Sequence, residues 1–225
     1  IKFILLHKNL LKFFDLTKKN YLILDDAVNV NLFKSHNIKK FKNTCAYFGS
    51  LSRGKGVEII KEVASQEKNI NFHIYGDLKL LNKSKDKKLK NLKFYNYVFY
   101  RNVPKLMSKY NVVLMPYLKK VSVRSKNLET SNYMSPLKLF EYLSMSLIIV
   151  ASKLRVYEHI LKDNKNSILI PLNKKFLWKK KLNYIFKNLK KFSKIKKNAK
   201  KTAQKYTWDI RVKTIRYDFV NLKDF

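Results

Sequence analysis

The sequence contains little cysteine, glycine or proline for its length of 225 residues. Its one cysteine, Cys45, cannot form a disulfide within the chain, which excludes a disulfide-stabilised scaffold and fits a reducing compartment. Because Cys45 precedes an apolar run, we interpret it as a small buried side chain rather than a reactive thiol. The apolar runs fall far short of the roughly 18–20 residues that span a bilayer. The first residues predict a strand and a helix rather than a secretion signal.

Acidic residues are also scarce, since 15 Asp and Glu stand against 50 Lys and Arg and leave a formal net charge of +35. A charge of this size attracts anionic membrane surfaces and nucleic acids. The joint abundance of Lys, Asn, Ile, Phe and Tyr also indicates biased codon usage, which we favour as the main origin of the charge. The His, Cys, Asp and Glu residues show no metal-ligand spacing and no carboxylate pair typical of a hydrolase, so no metal is expected.

The hydrophobic fraction of 46% predicts a packed core rather than a disordered chain. From Cys45 onward, short β-branched runs alternate with helical patterns, which indicates an α/β fold with a Rossmann-like parallel sheet and helices on both faces. The predicted strands lie at 45–49, 70–75, 92–95, 111–116, 147–151 and 167–170. The predicted helices lie at 56–66, 103–109, 137–144 and 154–162. Ligands of such sheets bind at the carboxyl ends of the strands.

The flanking parts of the chain have different patterns. Ahead of Cys45, the sequence predicts a strand at 3–6, an amphipathic helix at 9–16, a strand at 21–24 and a polar connector at 26–43. After position 171 the chain is predicted to be helical and very basic as far as Lys205, and a last helix starts near Thr207 and Asp209. We expect a local structural role for His7 and a place in the core for His73.

A glycine-rich segment, GSLSRGKG at residues 49–56, follows a predicted strand and opens a predicted helix. It nearly matches a P-loop, but Gly56 stands where the Mg²⁺-binding hydroxyl is needed, so an ATPase is not favoured. The glycines also lack the dinucleotide-binding spacing of dehydrogenases. A turn at a helix N-terminus remains, with Lys55 in reach of a diphosphate. The alternative is a surface turn with solvated Lys and Arg side chains.

A second segment, TSNYMSPLKLFEYLSMSLIIVAS at residues 130–152, joins a polar loop to a helix and the helix to a buried strand. Ser135 and Pro136 predict the helix start, with Ser135 as the N-cap. Glu141 lies about one turn into this helix. A carboxylate close to a helix N-terminus suits a polyhydroxyl ligand, since it can accept hydrogen bonds from two hydroxyls. The alternative is a capped helix with an exposed Glu and nothing bound.

These segments, in this order and spacing, resemble the donor-binding half of the group 1 glycosyltransferases (family 4), which have two Rossmann-like domains in the GT-B architecture. The resemblance covers about residues 21–220 and is strongest at 45–61 and 130–152. It implies a nucleoside diphosphate sugar as donor substrate, no cofactor and no metal, and transfer with retained anomeric configuration. The implied acceptor is a glycan or lipid-linked glycan of the cell envelope.

The resemblance also implies roles for individual residues, and it makes Lys55 and Glu141 the catalytic pair. The Lys that matches Lys55 binds the donor diphosphate, and the Glu that matches Glu141 binds the ribose hydroxyls. Tyr133 stands where many members have a second Glu that touches the donor sugar, so this pair is incomplete. Arg53 would replace the Arg that many members have at the position of Ser50. The other donor-binding residues are then Gly49, Gly76, Val98, Val103, Pro116, Tyr117, Ser135, Pro136, Leu137 and Lys138.

The base is expected between Tyr97, Val98 and Val103, and the basic loop at 117–126 is a candidate cover for the diphosphate. The resemblance divides the chain into a remnant of the acceptor domain with the hinge at 1–43, the donor domain at 44–205, and a C-terminal helix at 206–225 that packs back toward the N-terminal part. Because the chain begins with Ile1 rather than Met, we expect a fragment that binds nucleotide but turns over little.

Two other functions stay open at this point. The charge would suit a basic module that binds nucleic acid or anionic lipid without catalysis, although nucleic acid is not the partner we expect. Tyr133 in place of the expected Glu would suit a non-catalytic relative. The transferase interpretation predicts a cytoplasmic location, either free or at the inner face of the cytoplasmic membrane, with the basic helices between Lys174 and Lys205 facing the anionic lipid.

Overall fold

The computed structural model describes residues 2–80, 89–121 and 130–220. Its strands are β1 (Phe3–Leu5), β2 (Tyr21–Ile23), β3 (Thr44–Phe48), β4 (Asn71–Tyr75), β5 (Leu92–Tyr95), β6 (Val112–Met115), β7 (Ile148–Ser152) and β8 (Ile168–Ile170). β1 and β2 form a small parallel pair, and the others form one parallel sheet in the order β5-β4-β3-β6-β7-β8. Cys45 in β3 is aligned with Phe72 of β4 and Val112 of β6.

Helices cover both faces of the large sheet. They are α1 (Val57–Gln66), α2 (Val103–Met107), α3 (Leu137–Ser144), α4 (Leu177–Lys187), α5 (Ser193–Ala203) and α6 (Trp208–Val220). Side chains of α1 and α4 pack on the face that carries Tyr47, and those of α2 and α3 pack on the face that carries Phe48. The central strands are buried on both faces, which is why they are apolar without alternation.

The predicted α/β class and the parallel sheet are confirmed, and each predicted strand of the sheet overlaps an observed one. The helix predicted at 154–162 is wrong, because only the short 3-10 turn Arg155–Tyr157 is helical there. In this segment polar side chains accept hydrogen bonds from backbone N–H groups. Asn166 Oδ1, for example, accepts a hydrogen bond from Lys162 N at 2.7 Å. Such local bonds compete with the helical ladder and end it after one turn.

The N-terminal segment has a shorter helix than predicted. The residues expected to form an amphipathic helix at 9–16 form a 3-10 helix, Lys8–Phe13. His7 precedes it, and its Nδ1 accepts a hydrogen bond from Asn9 N at 3.1 Å, which is a local structural contact of the kind expected. His73 is half-buried in β4, where its Nδ1 lies 2.8 Å from the hydroxyl of Tyr110.

The last helix lies against the N-terminal strands. Lys2 forms an ion pair with Asp218 of α6, and Arg211 of α6 donates hydrogen bonds to the carbonyls of Leu24 and Asp25. These contacts join the two ends of the chain, while the division into three domains stays a prediction. In the described part of the chain, none of the helices has the length and apolar character needed to cross a bilayer.

Candidate functional site

The strand order of the large sheet reverses between β3 and β6. The loops that leave these two neighbouring strands run in opposite directions, so a crevice opens at the carboxyl edge of the sheet. A cavity of about 600 Å³ lies there, which is within the usual range for sites of small ligands and cofactors. Its walls come from the loops after β3, β4, β5 and β6 and from the start of α3.

Two glycines let the loop after β3 approach the rest of the site. Gly49 has a φ of +139°, and a Cβ atom there would overlap the end of the Lys138 side chain. Gly56 has a φ of +84° and immediately precedes α1, and a Cβ atom there would overlap the carbonyl of Pro116 in the loop after β6. Both backbone conformations are ones that L side chains adopt only with strain. The glycines therefore hold Lys55 against the loop after β6.

A pair of lysines flanks one aromatic ring in the cavity. Lys55 Nζ lies 4.8 Å from the ring centre of Tyr117, and Lys138 Nζ lies 5.4 Å from the same ring and 3.9 Å from the ring centre of Tyr47. Burial lowers the pKa of Lys55. Burial also lowers the pKa of Lys138 well below its usual value; the charge of Lys55 lowers it further, and Glu141 opposes the shift.

The ammonium of Lys138 is buried, although the stem of the side chain is partly exposed. Among the described residues, no acceptor lies within hydrogen-bond distance of it. A buried polar group without a partner costs about 1–3 kcal/mol, and more when it is charged. The ring of Tyr47 offsets only part of this cost. An ammonium in this position is typical of a site whose anionic ligand supplies the missing acceptors.

The start of α3 adds further positive potential to the same wall. The prediction of Ser135 as N-cap is wrong, because α3 begins at Leu137 after Pro136 and has no side-chain cap. The hydroxyl of Ser135 instead accepts a hydrogen bond from Asp26 N at 2.8 Å. The N–H groups of a helix's first turn lack intrahelical acceptors, and α3 therefore presents them without a competing cap.

Glu141 lies in the cavity wall one turn further along α3. It is 9% exposed, and its carboxylate accepts a hydrogen bond from the hydroxyl of Tyr100. Burial raises the pKa of Glu141, and the bond from Tyr100 and the charge of Lys138 oppose this shift. Burial and the charge of Glu141 raise the pKa of Tyr100. The Tyr100 hydroxyl thus occupies an acceptor site that a ligand hydroxyl could take.

Aromatic rings form the end of the cavity under β3, β4 and β5. Phe48 stacks on Tyr75 at a centroid distance of 4.8 Å, and Tyr75 stacks on Tyr95 at 4.7 Å, with the rings nearly parallel in both pairs. Tyr97 is 70% exposed at the mouth. The prediction did not include Phe48 and Tyr75 as site residues. A signal was available, since Tyr75 is the last and Phe48 the last but one residue of a predicted strand, at the edge where such sheets bind ligands.

Most of the residues predicted to bind the donor line the cavity, and their roles stay predictions. Those that line it are Gly49, Ser50, Lys55, Gly76, Val98, Val103, Tyr117, Ser135, Pro136, Leu137, Lys138 and Glu141. Arg53, Pro116 and Tyr133 do not. The Tyr133 ring packs edge-on against Phe13 at 5.8 Å. Asp26, Asp77 and Tyr100 line the cavity without having been predicted. Half of the basic loop expected over the diphosphate, residues 122–126, lies outside the described residues.

No group of three or more His, Cys, Asp or Glu side chains in the described part of the chain is placed to hold a metal ion. The positive groups that the described residues place at the cavity are the ammonium groups of Lys55 and Lys138 and the backbone amides at the start of α3. Their arrangement suits a ligand with an anionic centre, hydroxyls near Glu141 and a flat or apolar end near the aromatic wall.

Comparison with known proteins agrees with this geometry. The sequence profile of the family described as "Glycosyl transferases group 1" matches residues 29–202. The chain belongs to the group 1 glycosyltransferase family. The resemblance to the donor-binding, C-terminal half of a GT-B enzyme is thereby confirmed. No individually curated protein matches the sequence of this group 1 chain at a significant level.

Solved structures of glycosyltransferases share the fold of this group 1 chain. A glycosyltransferase from Rickettsia africae is 14% identical with a TM-score of 0.80 over 100% of this chain and 64% of that protein. HepE of Anabaena, in complex with UDP-glucose, is 15% identical with a TM-score of 0.75 over 99% and 63%. The C-terminal domain of LpcC, a group 1 protein of Francisella tularensis, is 16% identical with a TM-score of 0.62 over 81% and 100%. The chain thus spans less than two thirds of the first two proteins.

A substitution of Gly49 tests how the loop after β3 and α3 meet in this group 1 chain. Gly49→Ala should lower the free energy of unfolding by about 1–3 kcal/mol, because the new methyl group needs a strained φ and must displace the end of Lys138. Chemical denaturation monitored by circular dichroism measures the loss. Gln66→Ala, at an exposed position of α1, is the control. A Gly49→Ala chain as stable as the parent would show that Lys138 does not occupy this position.

Proposed function

We propose that this chain is the donor-binding part of a glycosyltransferase that binds a nucleoside diphosphate sugar and transfers the sugar to an acceptor. The buried ammonium of Lys138 beside Lys55 carries this proposal, because two positive groups at a sheet switch point match the two charged groups of a diphosphate. HepE of Anabaena has been solved in complex with UDP-glucose and in complex with UDP and glucose, which supports a donor of this class.

The donor is proposed to lie along α3. The diphosphate would contact Lys55, Lys138 and the free amides at the start of α3, and the ribose hydroxyls would bond to Glu141. The base would lie toward Val98 and Val103. In this pose Glu141 fixes the position of the donor, and the lysines face the group that leaves.

The reaction follows from this placement. The bond between the anomeric carbon and the diphosphate oxygen breaks, and its electron pair stays on the diphosphate. The acceptor hydroxyl oxygen bonds to the anomeric carbon and gives up its proton. Lys55 and Lys138 stabilise the negative charge that grows on the leaving diphosphate. We propose retention of the anomeric configuration and no metal, in keeping with the family resemblance, and a chain that transfers little sugar by itself.

The acceptor is proposed to be a glycan or lipid-linked glycan of the cell envelope. Lysines on the outer sides of α4 and α5, among them Lys180, Lys194 and Lys197, are exposed and would suit a peripheral contact with anionic lipid. A cytoplasmic location at the inner face of the membrane follows from this proposal. The distribution of these lysines away from the cavity is the reason to prefer a transferase with a basic surface over a nucleic-acid-binding module.

The pH dependence of nucleotide binding tests the proposal. A diphosphate favours the charged form of Lys138, so binding raises its lowered pKa and takes up a proton. The affinity for UDP or GDP should therefore fall as the pH rises from the lowered pKa toward the ordinary lysine value of about 10.4, by at most about tenfold per pH unit and proton.

Calorimetric titration in two buffers of different ionisation enthalpy measures this proton uptake directly. Titration with RNA and with anionic vesicles at two salt concentrations is the control for general attraction by charge. Absence of nucleotide binding beside tight, salt-sensitive RNA binding would contradict the proposed function and favour the basic binding module.

A further inference from the structure

Among the described residues, three with carboxylate side chains line the cavity, and these carboxylates differ in the hydrogen bonds that they accept. Glu141 accepts a hydrogen bond from Tyr100, and Asp77 Oδ1 accepts one from Lys79 N at 3.0 Å, which closes a turn. The carboxylate of Asp26 has no hydrogen-bond partner among the described residues, although the group is half-buried in the cavity wall. Asp26 is thus the one of these three carboxylates to which no described residue donates a hydrogen bond, so its full acceptor capacity is left for a ligand.

The backbone of Asp26 is fixed at a defined place. Its N–H donates to Ser135 Oγ at 2.8 Å, immediately before α3 begins. The neighbouring residue, Asp25, turns the other way, since its Oδ2 bonds to His159 Nε2 at 2.7 Å, and Asp25 does not line the cavity. Two adjacent carboxylates therefore have different surroundings, and only one of them faces the ligand space.

The position of Asp26 along α3 tells which part of a donor it meets. In the proposed pose, the ribose lies at Glu141 and the diphosphate lies at Lys138 and the helix start. The path from Glu141 to Leu137 runs about 6 Å toward the N-terminus of the helix, at 1.5 Å per residue. Asp26 is bonded to Ser135, which lies beyond that start. In this pose the sugar, which is attached to the diphosphate on the side away from the ribose, therefore lies next to Asp26.

We infer that Asp26 binds hydroxyls of the transferred sugar and so distinguishes a nucleotide sugar from the bare nucleotide. This inference rests on the proposed function. A carboxylate can accept hydrogen bonds from two neighbouring hydroxyls, which favours donor sugars that carry such a pair. Burial raises the pKa of Asp26, and the charge of Arg211 opposes that shift, so the group is already partly withdrawn from water before a ligand binds.

The test compares two ligand classes on the full 225-residue chain. Calorimetric titration uses UDP and GDP on one side, and UDP-glucose, UDP-N-acetylglucosamine and GDP-mannose on the other. Asp26→Asn should bind the nucleoside diphosphates within twofold of the parent. Its affinity for the nucleotide sugar that the parent binds best should fall about tenfold, because a charge-assisted hydrogen bond is lost.

Asp25→Asn is the matched control, since it removes the same charge one residue away and outside the cavity. Asp25→Asn should leave the affinities for nucleoside diphosphates and for nucleotide sugars unchanged. If Asp26→Asn folds poorly, Asp26→Ser should show the same selective loss of affinity for the nucleotide sugar. An equal loss for nucleotide and nucleotide sugar, no loss at all, or the same selective loss in Asp25→Asn would each overturn the inference. A parent chain that binds none of these ligands would instead overturn the proposed function itself.

Discussion

Lys138→Met should make the chain more stable and, at the same time, remove most of its affinity for a nucleoside diphosphate. Methionine keeps most of the length of the stem and packs on Tyr47, while the cost of a buried ammonium without an acceptor disappears. The expected gain of about 1–3 kcal/mol corresponds to a rise in melting temperature of roughly 2–12 °C for a chain of this size. The expected loss in affinity is about 100-fold, or about 2.7 kcal/mol.

Thermal unfolding by differential scanning fluorimetry and calorimetric titration with UDP measure the two effects. Lys197→Met, on the exposed side of α5, is the matched control, and it should change neither quantity beyond error. Opposite signs of the two effects are the informative result, because a merely structural lysine would lose stability together with binding. A less stable variant with unchanged affinity would rule out Lys138 as an anion-binding group.

Glu141→Ala should weaken nucleotide binding by about 30-fold to 100-fold. The carboxylate is buried in the cavity wall and is proposed to accept hydrogen bonds from two ribose hydroxyls, each a bond to a charged acceptor. Its loss also leaves Lys138 without the negative charge that supports its protonation. Titration with UDP and with 2′-deoxy-UDP resolves these contributions, because the missing hydroxyl should cost the parent chain far more than the variant.

Tyr100→Phe is the companion variant for Glu141. It removes the hydroxyl that bonds to the carboxylate in the free chain, so a ribose no longer has to displace it. Its affinity for UDP should equal or exceed that of the parent. A deoxynucleotide penalty of the same size in the parent and in Glu141→Ala would show that the ribose does not lie at Glu141.

The parts of the molecule that the sequence predicted correctly are those governed by short-range patterns. Buried parallel strands have continuous apolar runs, which a short stretch of sequence is enough to show. The turn that contains Gly49 and Gly56 has no room for larger residues, and its glycines mark it in the sequence. The inward position of Lys138 was also within reach. It stands three residues before Glu141, and residues at this spacing lie on the same face of a helix. If Glu141 faces the cavity, Lys138 is therefore expected to face it as well.

Other parts depend on contacts between distant segments, which no local pattern reports. Ser135 has the composition of an N-cap, yet its hydroxyl bonds to the backbone of Asp26, a residue 109 positions away. Tyr133 stands where many family members have a second Glu, and its ring packs on Phe13. The false helix at 154–162 arose because its residue types permit a helix, whereas Asn166 supplies the backbone with a competing partner.

The short segment from Leu24 to Asp26 has a mechanical consequence. Arg211 of α6 holds its first two carbonyls, and Ser135 at the rim of the cavity holds its last N–H. These hydrogen bonds connect α6 to the rim of the cavity by a path that does not run through the large sheet. Under the proposed role of Asp26, the residue that binds the sugar would be positioned by contacts separate from those that position Lys55.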